Sequence, residues 1–206
     1  VAALTDFDLK VQVAAVGALA RQGAAAIGPL SEALRSPDAR RRRRACEALS
    51  ATALPEANGP LIRALSDGKS EIRCAASRGL GRPGNAAGIA PLATLLAHAD
   101  GATAAAAAQA LARIGEPAWP ALISAWRKEG VAAYHASEAL ASQGPRAVAA
   151  LTMEAAADAG TARWIAIALG RIGGPQAADR LRNLVRSDDP DVRHAAEQAL
   201  GRLGVK

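Results

Sequence analysis

The stretch DPDVRHAAEQALGRLG, from Asp189 to Gly204, spells out one helix with both of its boundaries. Asp189 is an acidic cap for the first free amides, and Pro190 suits a helix's first turn, where an amide hydrogen is not needed. Ala196, Ala199 and Leu200 share one helical stripe. Gly204 stands where the helix must stop, at the left-handed cap position that other residues adopt only at a cost.

The same pattern recurs upstream. With Leu200 as anchor, equivalent leucines are Leu19, Leu49, Leu80, Leu111, Leu140 and Leu169, and all spacings fall between 29 and 31 residues. Alanine precedes the anchor at Ala18, Ala48, Ala110, Ala139, Ala168 and Ala199, with Gly79 the exception. Four residues past the anchor stands glycine (Gly23, Gly84, Gly115, Gly144, Gly173, Gly204) except at Ala53, where the turn is longer and includes Pro55 and Gly59. A second apolar segment follows each turn, anchored at Leu30, Leu61, Leu92, Leu122, Leu151 and Leu181, and proline precedes the first three of these. Each unit therefore reads as helix A, a glycine turn, and helix B. A single hairpin of this kind cannot bury its own apolar face, so neighbours must stack into a continuous core.

The expected fold is all-α: a right-handed α-solenoid, or superhelix, of about seven helix-turn-helix repeats of about 30 residues in one domain over 1–206. Residues 1–6, "VAALTD", read as the end of a preceding helix B by comparison with "IRALSD" from Ile62. The chain ends just after the seventh helix A, so it reads as a piece of a longer protein.

The stretch from Asp189, with EIRCAASRGLGRPG from Glu71 and AAQALARIG from Ala107, resembles the short HEAT-like repeats of the phycobilisome-lyase family. The resemblance implies the solenoid fold and admits a tetrapyrrole-binding lyase or chaperone as one function. It also implies that Arg42, Arg73 and Arg193, seven residues before their anchors, pair with acidic groups of neighbouring repeats near helix starts. Metal-dependent hydroxylases built from this repeat carry His-Glu pairs, and His98, His135 and His194 have no glutamate beside them.

Composition bounds the function. Half the residues are hydrophobic but only 2% are aromatic, so the core must gain its stability from close approach of many small side chains. The 25 basic residues exceed the 19 acidic ones, which weakly favours acidic partners or nucleic acid. Cys46 and Cys74 match no metal or redox spacing, and no nucleophile elbow or phosphate loop is present. No catalytic, metal or cofactor residue is assigned, and no cofactor is expected. With no apolar run of transmembrane length, the sequence points to a cytoplasmic protein without membrane contact.

Three features compete for a functional role. The first is the surface of the B helices, which the resemblance implies line the inner, concave curve. Its exposed columns are Glu32, Arg63, Thr94, Ser124, Met153 and Asn183, with Arg35, Arg127 and Arg186 three residues further on. The second is the basic run Arg40, Arg41, Arg42, Arg43 and Arg44, read as a solvated outer face or a docking patch for phosphate or acidic protein. The third is the tryptophans: Trp119, Trp126 and Trp164 fall on core columns and read as fillers. Arg21, Arg82, Arg113, Arg171 and Arg202 recur two residues past the anchors, placed to meet the carbonyls at the ends of their own helices.

The leading expectation is a non-catalytic protein-protein interaction scaffold or regulatory module. A bilin lyase or chaperone, and a nucleic-acid-binding helical repeat, are the alternatives. Nucleic acid is not favoured, because no aromatic platform accompanies the basic run.

Overall fold

The computed structural model describes residues 1–5, 9–98, 100–128, 130–153 and 158–205. All its regular elements are helical, with no strand among the described residues. The A helices are α1 (Leu9–Arg21), α3 (Ala39–Thr52), α5 (Ser70–Leu80), α7 (Gly101–Ile114), α9 (Gly130–Ala141), α11 (Ala159–Ile172) and α13 (Pro190–Leu203). The B helices are α2 (Ile27–Ala33), α4 (Asn58–Ala64), α6 (Ile89–Leu95), α8 (Trp119–Ser124), α10 (Pro145–Met153) and α12 (Pro175–Leu184). Two compact units result, Val1–Ile114 and Gly115–Lys206.

The B helices are shorter than the A helices because each of the first four is entered through a 3-10 turn: Gly23–Ala26, Pro55–Ala57, Ala86–Gly88 and Glu116–Ala118. Pro29, Pro60 and Pro91 then sit in the first turn of α2, α4 and α6, where the missing amide costs nothing. Ala2–Thr5 form a 3-10 turn that packs on α1 and α3 with Leu4 fully buried, and Asp6 lies outside the described residues.

The repeat columns have the roles their chemistry predicts. All seven A anchors are buried, and the six B anchors are wholly inaccessible. The six column glycines that follow helix A all have φ between +59° and +93°. Ala53, the exception in that column, adopts φ +55° and is the one non-glycine residue with positive φ among those described. The turn geometry is thus imposed by the fold on whatever residue occupies the column.

Stacking of successive A helices depends on small residues at two columns. The residue after one anchor meets the residue before the next. A Cβ on Gly81 would lie 2.6 Å from Ala110 Cα, and a Cβ on Gly170 would lie 2.6 Å from Ala199 Cβ. Between α3 and α5 the sizes are reversed: Ser50 opposes Gly79, whose Cβ would lie 3.1 Å from Ser50 Cβ. One member of each of these pairs has no side chain, and this lets the helices approach closely enough for an alanine-rich interior to hold together.

Candidate functional site

In the unit Val1–Ile114 the B-helix candidates Glu32, Arg35, Arg63 and Thr94 are all exposed. They are not equivalent. Arg35 pairs with Glu32 at 2.7 Å, an i,i+3 contact in which both side chains remain about three-quarters solvent-accessible. Thr94 donates its hydroxyl to the Ala90 carbonyl at 3.2 Å. Arg63 has no ionic partner among the described residues, and with Arg35 it lines a notch of about 230 Å³ between α2 and α4. The notch is completed by Ser31, Leu34, Ala64, Ser66 and Asp67.

In the unit Gly115–Lys206, Ser124, Arg127, Asn183 and Arg186 are exposed. Ser124 donates to its own helix at the Ala121 carbonyl, and Arg127 lies 3.8 Å from Asp158. Asn183 borders a more open depression of about 510 Å³ between α10 and α12, together with Thr152, Gln176 and Arg180. Arg186 has no ionic partner among the described residues. Met153 ends α10, and its side chain lies outside the described residues.

The run Arg40 to Arg44 is divided by the structure. Only Arg40 is exposed. Arg42 donates to both Asp67 oxygens at 2.7 and 3.1 Å and to the Ser36 and Pro37 carbonyls. Arg43 and Arg44 both reach Glu47, at 3.8 and 2.6 Å. A helix turns 100° per residue, so it points the arginines to different sides: Arg42 reaches across to Asp67, Arg43 and Arg44 pair with Glu47 of their own helix, and Arg41 is half-buried. The run is therefore not one solvated face.

Asp67 is the hub of this unit. Its carboxylate holds Arg42 and the Lys69 amide, and its carbonyl accepts from Arg73. Burial alone would raise its pKa, but the Arg42 hydrogen bond, the Lys69 amide and the charges of Arg42 and Arg73 hold it below the usual carboxylate range. Arg73 passes the pattern on to Asp100 at 2.8 Å and to the Thr103 hydroxyl at 3.0 Å. The chain of ion pairs stops at α7, because Ala104 occupies the arginine column there. Arg193 instead holds the Ser187 and Asp188 carbonyls.

Three of the arginines after the anchors, Arg82, Arg113 and Arg171, reach the preceding repeat instead of capping their own helices. Arg82 donates to the Leu54 carbonyl and to Asn58 Oδ1 of the preceding repeat, and Asn58 and Asn85 exchange amide hydrogen bonds beside it. Arg171 pairs with Glu138 and lies 5.7 Å from the centre of the Tyr134 ring. Their length lets them reach a carbonyl or carboxylate one repeat away, which a dipole argument confined to one helix does not anticipate. Trp119 and Trp126 are buried as expected, at 7% and 0% exposure. Trp164 is only half-buried and carries the Arg163 guanidinium over its ring at 5.4 Å. No group of three or more His, Cys, Asp or Glu side chains capable of holding a metal occurs among the described residues. No described helix is long and apolar enough to cross a membrane.

Reading the sequence alone misses Asp67 and the notch beside it. The signal was present: Asp67 lies four residues past Arg63, in the turn that leads into the next helix A.

Comparison with known proteins agrees with this architecture. HEAT repeats are matched over residues 58–141 and 129–201. Among solved structures, the complex of CpcE and CpcF of phycocyanin lyase from Nostoc sp. PCC7120 is similar over 98% of this chain and 92% of its own, at 20% identity and a TM-score of 0.49. Human deoxyhypusine hydroxylase in complex with glycerol is similar over 98% of this chain and 82% of its own, at 22% identity and a TM-score of 0.40. An engineered protein shares 24% identity over 98% of this chain, which spans 66% of that protein's length, with a TM-score of 0.45. No curated protein matches the sequence. Since the matched repeats run from residue 58 to 201, well over half the sequence, and fold as paired A and B helices, the chain belongs to the family of HEAT repeats.

Proposed function

We propose that the chain is a non-catalytic scaffold that holds a protein partner against its B helices. Arg63 and Arg186, on the B side, are exposed and have no ionic partner among the described residues, so a partner can engage them without breaking a contact of the fold. The observation that carries this reading is the variation of the exposed B-helix columns: Glu32, Arg63, Thr94, Ser124 and Asn183 differ from repeat to repeat while the core columns do not. A surface that discriminates between partners needs such variation along the repeats.

The test is photo-crosslinking in lysate, with a benzophenone side chain placed at Arg63, Thr94 or Asn183 and, separately, at Arg40, Glu71 or His194 on A helices. Recovery of one partner from the B positions and not from the A positions supports the assignment. The same partner recovered only from the A positions overturns it.

A further inference from the structure

We infer that the notch between α2 and α4 is a carboxylate-binding site that receives a glutamate or aspartate of an acidic protein segment; this rests on the scaffold reading and names the partner chemistry for one part of it. The notch holds about 230 Å³, below the roughly 300–1,000 Å³ typical of small-molecule pockets and suited to a single side chain. Two arginines line it, Arg35 and Arg63, and the exposed Arg63 guanidinium lies back along α4 near Gly59, free to swing toward a ligand. Arg63 is not committed to any described acid, and Arg35 is held only by Glu32 in a pair that is 75% and 70% exposed. Exposed pairs of this kind contribute little to stability, so an incoming carboxylate competes for Arg35 at little cost.

The acid already in the notch does not cancel this charge. Asp67 is satisfied by Arg42 and the Lys69 amide, so it has no demand on Arg63. The Ser66 hydroxyl is exposed and adds a donor at the rim, while Leu34 and Ala64 give an apolar floor for the neighbouring side chain of the bound segment. The surrounding unit is basic as well: residues 1–114 carry 14 Lys and Arg against 9 Asp and Glu, whereas residues 115–206 carry 11 against 10. Long-range attraction therefore directs an acidic segment to the half of the chain that contains the notch.

The same details argue for protein over nucleic acid. Glu32 and Asp67 flank the arginines, so a polymer with a charge on every residue meets repulsion on either side of the site. Neither α2 nor α4 carries an aromatic side chain on which a base could stack. A segment that presents isolated carboxylates between apolar residues meets neither difficulty.

The experiment is fluorescence anisotropy on the full chain with a short fluorescein-labelled peptide alternating glutamate with leucine. Its glutamine counterpart and an oligothymidylate of similar length serve as comparison probes. The glutamate peptide is expected to bind, the glutamine peptide to bind at least about tenfold more weakly, and the affinity to fall with added salt. Arg63→Glu and the milder Arg63→Gln are each expected to weaken binding of the glutamate peptide at least about tenfold, with unchanged circular dichroism melts. Arg40→Glu and Arg186→Glu are expected to leave it within about twofold.

Absence of binding, or binding that survives both Arg63 variants, overturns the notch. If Arg186→Glu removes that binding instead, the notch is wrong while the B-helix scaffold reading stands; if Arg40→Glu removes it, both fail. Tighter binding of oligothymidylate, lost on Arg63→Glu, overturns the protein partner and assigns the site to nucleic acid.

Discussion

Replacing Gly170 by alanine tests how the A helices stack. The new Cβ would lie 2.6 Å from Ala199 Cβ and 3.0 Å from Ala199 Cα. Carbon atoms are at ease near roughly 3.5–4.0 Å, so α13 must retreat from α11 by about 1 Å along the contact. Overpacking of this size costs about 1–3 kcal/mol, and the helix-propensity gain of alanine over glycine returns about 1 kcal/mol. Net destabilisation of up to about 2 kcal/mol is expected. Gly201 supplies the control. It holds the same column in α13, it is helical, and a Cβ there meets nothing within 4 Å. Gly201→Ala should therefore be stabilising by up to about 1 kcal/mol, so the gap between the two variants isolates the clash at about 1–3 kcal/mol.

The decisive variant reverses the sizes. Gly170→Ala combined with Ala199→Gly reproduces the arrangement in which Ser50 opposes Gly79, and it should recover at least about 1 kcal/mol in a double-mutant cycle. Urea unfolding followed by far-UV circular dichroism reads the four proteins of the cycle and the Gly201→Ala control. Equal effects at Gly170 and Gly201, or no coupling between Gly170 and Ala199, would refute the size-matching argument.

Other expectations follow from particular contacts. Ala53→Gly should stabilise the chain by about 0.5–1 kcal/mol in thermal melts, because alanine is held at φ +55° where glycine is at ease; a loss of stability would show that the Ala53 side chain is needed there. Leu111→Ala removes a fully buried anchor and should cost about 2–4 kcal/mol, while Arg40→Ala, exposed and outside the ion-pair chain, should stay within about 0.5 kcal/mol. Asp67→Ala leaves Arg42 with its two carbonyl bonds but no counter-charge, and should cost about 2–3 kcal/mol, less than a fully buried pair. Because the folded-state pKa of Asp67 is depressed, its contribution is present above the unfolded carboxylate value, about 3.9, and is lost as pH falls through the folded one. Asp67→Asn should therefore flatten the acid limb of the stability curve, and an unchanged limb would remove Asp67 from this role. Thiol titration of the native chain should modify Cys74 well before Cys46, which is fully buried and whose thiol is pushed up to about 12 by burial.

What the sequence determined by itself was the periodic part of the molecule. Anchor leucines, cap glycines and paired alanines recur at fixed spacing, and each acts through its own helix or turn, so Leu111, Gly204 and even the irregular Ala53 are legible from local physics. The B-helix candidates Glu32, Arg63 and Asn183 were legible in the same way, since exposure follows from a position on a helix whose buried face is already known. Tertiary structure alone decided what the long polar side chains do. Arg42, Arg73, Arg82 and Arg171 span from one repeat to the next, and their partners Asp67, Asp100, Asn58 and Glu138 lie 24 to 33 residues away in the chain. Which of many arginines meets which acid depends on the offset between stacked helices. That offset is set by the closest approach of small residues such as Gly170 and Ala199, a distance that local periodicity does not contain.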